Sequence, residues 1–447
     1  MKSTATTLTL VLLLIQYSAT AQLAKGDRIF AWQVDMTENN DYDLAFGFAA
    51  DACQESTHLS LTWSDLEPDA GVFDPDFIAS RLDIANFYFP ANDVQVEMQI
   101  AVTNIAVKEV PADLAAVPFD DPLLIERFKT ALDTVFSHIP DIDLAALNIG
   151  NESDILFGTD EEMYTAFKTF LDSVVPYAKD TYFALYGKEL KVGTTFTLNG
   201  LTSPEKSDYC QIVNEGLDIV TVTYYPLAPD FTMEPPAVVE GHFDDLVALY
   251  PSIDQPIYFA ECGYASSETC NSSEELQAQF YSAVFNAWDK HYANIKYLTV
   301  FKSTDWSPED IEFFEEYLGV DDPIFLEYLR TLGLRTWDGD GVNKLAYEFI
   351  LCELEARDWC TVDCTLNEIE TLNAPIAVLL SPNPASESLT IRSEIEITEL
   401  VIYNSIGEVM LITTETLIDI NIWPTGIYMV HIRLEDHSFS NLKFVKN

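Results

Sequence analysis

Basic residues are scarce in this chain. Its 447 residues include 23 lysines and arginines against 73 aspartates and glutamates, a formal net charge of −50. Such a surface repels nucleic acid and anionic membranes and disfavours polyanionic substrates. The acidic residues are spread along the chain, as on a solvated surface, and form no tail. Past the N-terminal leader no apolar run approaches the roughly 18 residues of a membrane span, so no transmembrane span is expected. No HExxH and no GxSxG is present, and the six histidines are scattered, which leaves neither a zinc-protease helix nor a nucleophile elbow. Cys360 and Cys364 have metal-like spacing but no second Cys or His pair nearby, so neither a metal nor another cofactor is expected. Glycine is missing from TENNDYD, the stretch after RIFAWQVDM, where a dinucleotide-binding sheet carries its phosphate loop. Residues 26–359 contain no internal repeat, which speaks against a structural adhesin.

The chain opens MKSTATTLTLVLLLIQYSATAQ. Lys2, the apolar run 8–15 and Ala19-Thr20-Ala21 form the three zones of a signal peptide, so residues 1–21 read as a leader and Gln22 as the mature start. Seven cysteines suit an oxidising compartment. Cys262 with Cys270, and one pair among Cys352, Cys360 and Cys364, are the candidates by proximity, with at least one cysteine left over.

From residue 375 onward short β-rich runs alternate with the turn signals PNP, NSIG and PTG. That pattern predicts a β-sandwich of about 70 residues over 375–447, joined by a linker, 360–374. Ser381-Pro382-Asn383-Pro384, Val401-Ile402-Tyr403-Asn404 with Gly407, Pro424-Thr425-Gly426-Ile427-Tyr428 and the closing Lys443-Phe444-Val445-Lys446 follow in order. This segment resembles the C-terminal sorting domain of the type IX secretion system. The resemblance implies a Bacteroidota-type host, the secretion machinery as partner, and export through the periplasm and outer membrane to the surface or medium.

Between residues 22 and 359 β-like runs alternate with helical periodicity. The strands are expected at 28–35, 58–63, 94–102, 144–150, 191–197, 218–224, 256–261 and 295–302. Eight such units predict an α/β fold, a (β/α)8 TIM barrel, whose functional groups sit at the C-terminal strand ends. Those ends carry Gln33 and Asp35, Trp63 and Asp65, Asn104, Asn151-Glu152, Thr197 and Asn199, Tyr224-Tyr225, Glu261, and then Lys302, Asp305 and Trp306. Carboxylates, amides and flat rings are what sugar hydroxyls and pyranose faces require. Past the last strand GLRTWDGDGVNKLAYEF (333–349) resembles a closing segment common in such barrels, which implies that DGDG at 338–341 is a turn and not a calcium site.

Glycosidic hydrolysis needs a carboxylic acid for the leaving oxygen; a second carboxylate about 5–5.5 Å away attacks the sugar with retention. Glu152 and Glu261, at the tips of strands 4 and 7, are the candidates. NIGNESD (148–154) and PIYFAECGY (256–264) resemble the strand 4 and strand 7 motifs of the clan A retaining glycoside hydrolases. TYYPL (223–227) and ECGYASS (261–267) look most like the endo-β-1,4-galactanases within it. The resemblance implies Glu152 as acid/base, Glu261 as nucleophile, Asn151 as ligand of the sugar 2-hydroxyl and Trp306 as a sugar platform. Asn104, Trp63 and one of Tyr224 and Tyr225, with Tyr224 preferred, complete the expected binding residues. The clan's strand 2 arginine has no counterpart in TWSDL. The expected function is a secreted retaining glycoside hydrolase acting on a neutral β-linked glycan; the alternative is an inactive barrel that binds glycans. For Glu152 the plain reading is a cap for the helix beginning near Thr159.

Overall fold

The computed structural model describes residues 25–362 except 340, residue 364, and 379–446 except 382–384, 387, 394–396, 405–408 and 435–438. The expected signal peptide lies outside the described residues, as does most of the expected linker. The chain divides into two compact units, with the boundary between Thr365 and Leu366.

In the first unit the parallel strands follow the predicted order: β1 (Ile29–Trp32), β2 (Ser56–Thr62), β3 (Gln95–Asn104), β4 (Leu144–Asn151), β5 in two pieces (Val192–Gly193 and Thr195–Thr197), β6 (Val220–Tyr224), β7 (Ile257–Cys262) and β8 (Ile295–Val300). β1 pairs with both β2 and β8. One piece of β5 pairs with β4 and the other with β6, so each strand has a parallel neighbour on either side. Both faces of these strands are largely buried, as in parallel sheets generally. The helices that matter below are α1 (Pro122–Ser137), α2 (Glu161–Tyr186), α3 (Glu274–Lys290), α4 (Pro308–Leu318), α5 (Pro323–Arg330) and α6 (Leu345–Ala356). α1 and α2 start on Asp121 and Asp160, whose side chains accept backbone N–H groups of the first turn.

The barrel interior changes character along its axis. At the N-terminal ends Ala31, Ala146, Ile219, Tyr258 and Tyr297 form an apolar plug. Two residues further along the strands the inward positions are His58, Asn148 and Thr221, joined by Glu97. Barrel interiors are ordinarily filled by branched apolar side chains, so this polar layer stands out.

Two disulfides close the unit, Cys53–Cys360 and Cys352–Cys364. The second lies within the expected trio. The expected Cys262–Cys270 pair does not form: both thiols are free and buried. Cys262 ends a barrel strand and packs outward, while Cys270 points to the Ile324 carbonyl at 3.5 Å.

The second unit is antiparallel. β9 (Leu379–Ser381), β10 (Ser388–Arg392) and β13 (Leu417–Asp419) make one sheet; β11 (Ile397–Asn404), β12 (Val409–Thr413), β14 (Gly426–Leu434) and β15 (Phe439–Lys446) make the other. Leu389, Ile391, Leu400, Ile402, Val430 and Ile432 alternate inward along their strands to form its core.

Candidate active site

A cavity of about 810 Å³ opens at the C-terminal ends of the barrel strands. Asn151 and Glu152 enter it from the turn after β4. Gly150 has φ +91°, and a Cβ there would come 2.9 Å from the hydroxyls of Thr103 and Ser153. Only glycine permits this turn. Ser153 and Thr103 share a hydrogen bond of 2.6 Å, and the buried Asp154 accepts from the Thr197 N–H and hydroxyl at 2.8 Å each. Glu152 between them is left-handed, φ 45°, a conformation that costs a non-glycine residue about 1 kcal/mol or more and collects at functional sites. Its side chain caps no helix. It accepts instead from the Thr223 hydroxyl at 2.6 Å.

Glu261 arrives from β7 through a β-bulge. Val222 of β6 faces Phe259, but the next residue, Thr223, faces Glu261. The skipped Ala260 reverses the in–out phase, which turns Glu261 inward and Cys262 outward. The Tyr225 hydroxyl donates to Glu261 Oε2 at 2.6 Å. Gly263 makes room for that ring, since a Cβ there would meet it at 2.7 Å. Thr223 therefore has Glu152 on its hydroxyl and Glu261 across the adjacent strand.

The two acids differ in environment. Burial, then the charges of Glu261 and Asp154, push the Glu152 carboxyl up to about 8 against the Thr223 hydrogen bond. Burial also raises Glu261, but His58 and the Tyr225 hydroxyl pull it back.

Of the other predicted residues, Asn104, Asn151 and Trp306 line the cavity. Asn151 donates to Asn104 at 3.0 Å, and Asn104 donates to the Tyr317 hydroxyl of α4 at 3.1 Å. One face of the Trp306 ring is covered by the Lys302 ammonium, 3.0 Å from the centroid. Two expectations are corrected. Trp63 does not reach the cavity: fully buried, it donates to Glu67 at 2.9 Å and packs on Phe128 of α1. Tyr224 also turns away. Thr221, Thr223 and Tyr225 share the inward phase of β6, so Tyr224 packs among Phe243, Phe259 and Phe280 and meets His242 at 3.1 Å.

Sequence reasoning passed over His58, Phe301 and the α4–α5 wall. Phe301 follows β8 and lines the cavity with its ring against Tyr225. Helices α4 and α5 bring Phe314, Phe325 and Tyr328 to the same cavity. The signal for His58 was its place: inward by alternation in THLSL, two residues before the cavity-lining Ser60.

Residues 380–447 match the family described as the secretion system C-terminal sorting domain. Deleting residues 366–447 should abolish export in a host with a type IX system and leave the melting temperature of the purified barrel unchanged. Fractionation and calorimetry check the two halves; a barrel that melts early would make the second unit a structural support. Sequence comparison with curated proteins returns no match.

Among solved structures the chain is similar to the exo-β-1,4-mannosidase Op5Man5 from Opitutaceae bacterium strain TAV5, with TM-score 0.55 and 14% identity over 76% of this chain. The match spans 61% of that mannosidase. It is also similar to GH5_18 from Streptomyces cattleya in complex with GlcNAc, with TM-score 0.53 and 13% identity over 75% of this chain and 82% of the other. A β-glucosidase from Exiguobacterium marinum gives TM-score 0.53 and 11% identity over 76% of this chain and 99% of the other. The first unit thus has the TIM-barrel fold of these glycoside hydrolases, and the chain ends in a secretion-system sorting domain that marks it for export to the cell surface or the medium.

Proposed function

We propose that the barrel is a retaining glycoside hydrolase of a neutral β-linked oligosaccharide or polysaccharide, with Glu152 as acid/base and Glu261 as nucleophile. The observation that carries this reading is the meeting of a buried carboxyl, Glu152, and a half-buried one, Glu261, on either side of Thr223. Its hydroxyl lies 2.6 Å from Glu152, and its strand neighbour is Glu261, about 4.8 Å away between backbones. Two carboxyls gathered about one residue supply the acid/base and the nucleophile that double displacement requires.

In the first step protonated Glu152 gives its proton to the glycosidic oxygen. Glu261 attacks the anomeric carbon, the bond to the leaving oxygen breaks, and a glycosyl ester forms on Glu261. Ionised Glu152 then takes a proton from water, which attacks the same carbon and releases Glu261. The Tyr225 hydroxyl engages Oε2 alone, leaving the other oxygen to react. Three buried polar atoms on cavity residues, Gln33 Oε1, Asn151 Oδ1 and Trp306 Nε1, have no hydrogen-bond partner among the described residues. Buried polar groups are seldom left so, and a polyhydroxyl ligand supplies both the donors and the acceptor they need.

The fold neighbours include a β-mannosidase and a β-glucosidase by name, so β-mannosides and β-glucosides come first in a substrate panel. Incubation with 2-deoxy-2-fluoro glycosides bearing good leaving groups should leave one sugar on the protein. Peptide mass spectrometry should find it on Glu261. A protein that binds oligosaccharides yet is never labelled would be the glycan-binding barrel instead.

A further inference from the structure

The sequence offers no arginine beside the proposed nucleophile, yet a third glutamate, Glu97, lies beneath the cavity that Glu152 and Glu261 line. Glu97 is the puzzling one. It is fully buried on β3, and its charge works against ionisation of Glu261. A carboxylate there makes sense only through what it holds.

What it holds is His58. The two residues are register partners on β2 and β3. The His58 Nδ1 engages Glu97 Oε2, and the Asn148 amide donates to Glu97 Oε1. Asn148 in turn accepts from the Thr221 hydroxyl at 2.7 Å. Both oxygens of Glu97 are occupied, which fixes the carboxylate and, through it, the imidazole plane. The ring nitrogen left over is Nε2, on a side chain that lines the same cavity as Glu261.

We infer that His58 is a positioning residue that places a positive charge beside Glu261, with Glu97 and Asn148 as its mount. The inference rests on the reading of Glu261 as nucleophile. Glu97 from β3 and Glu261 from β7 are the charged groups that act on the imidazole. Burial opposes its charge most strongly, but attraction to Glu97, the hydrogen bond to it and attraction to Glu261 together hold its pKa above the ordinary value. The same interaction appears from the other side, where His58 is the first group to counter the burial of Glu261. The charge keeps Glu261 ionised at pH values where its neighbour Glu152 still carries a proton.

The test is an NMR titration of the full chain with carbon-labelled histidine. The His58 signal is assigned by its loss in His58→Gln or, if that variant does not fold, by single replacement of the other histidines. Glu261→Gln should lower the His58 pKa by about 1, and Glu97→Gln should lower it further. An unchanged His58 titration in Glu261→Gln overturns the inference, whether or not any substrate is known. Kinetics give the second readout. In His58→Gln the acid limb of kcat/KM should move up by about 1 pH unit, a roughly tenfold loss on that limb with much less loss at its plateau. A uniform loss at all pH values would make His58 merely structural. Failure of fluoro-glycosides to label the wild type would instead sink the nucleophile reading and leave the His58 coupling to be judged by the titration alone.

Discussion

Glu261→Gln should reduce turnover of every substrate the wild type hydrolyses by a factor on the order of 10⁴ or more, the scale seen when a nucleophile is removed. Leaving-group quality should not rescue it, because the glycosyl ester cannot form. Gln keeps the shape and can still accept from the Tyr225 hydroxyl, so the loss belongs to chemistry and not to folding. Stability gives the control. The folded-state pKa of Glu261 is raised by burial, so the folded state binds more protons than the unfolded chain above the ordinary value. Stability therefore falls as pH rises from that value through the folded one. Gln removes this penalty. Calorimetry should find the variant at least as stable as the wild type, with the larger advantage at alkaline pH. An inactive variant that also melts early would show a structural role.

The second large effect belongs to Glu152→Gln, and its signature is selectivity. Hydrolysis of alkyl glycosides should fall by about 10²–10⁴, the usual contribution of a general acid. Formation of the glycosyl ester from aryl glycosides with acidic leaving groups should be nearly spared, since those oxygens leave without a proton. The pH profile separates the two acids. Glu152, held up to about 8, is protonated below that value and supplies the acid; above it the proton is gone, and wild-type kcat/KM should fall. On the acid side activity is lost as Glu261 takes up a proton. In Glu152→Gln the alkaline limb should vanish for activated substrates while the acid limb stays. Burst kinetics with nitrophenyl glycosides across pH would measure both; an alkaline limb that survives in the variant would remove Glu152 from the acid role.

The barrel was legible because short β-like runs alternate with stretches of helical periodicity, and each predicted strand lies within a few residues of an observed one. The meeting of Asn104, Asn151, Glu152 and Glu261 in one cavity was legible from their places at strand ends. What failed was phase. Which of Tyr224 and Tyr225 faces inward depends on where alternation starts, and the bulge at Ala260 that turns Glu261 inward leaves no mark in YFAEC. Trp63 sits at a strand end as expected, but the short helix Trp63–Leu66 begins there and carries its ring into the core. His58 was passed over because one histidine in a strand most often packs quietly; its meaning depends on Glu97, 39 residues later, being its neighbour. The Cys53–Cys360 bond spans 307 residues, and only closure of the barrel brings its ends together.

That bond also bears on the fate of the chain after export. Cys53 follows the helix Tyr42–Asp51, while Cys360 lies just past α6 and Cys364 one residue before the unit boundary. The last stretch of the barrel is thus fastened twice, once to its beginning and once to α6. Helix ends beside a severed chain ordinarily fray, because the new terminus has nothing to hold it. Here a cut beyond Cys364 would release the address label and leave the barrel hemmed. The cystines work as a selvedge, woven in so that the cloth can be trimmed without unravelling.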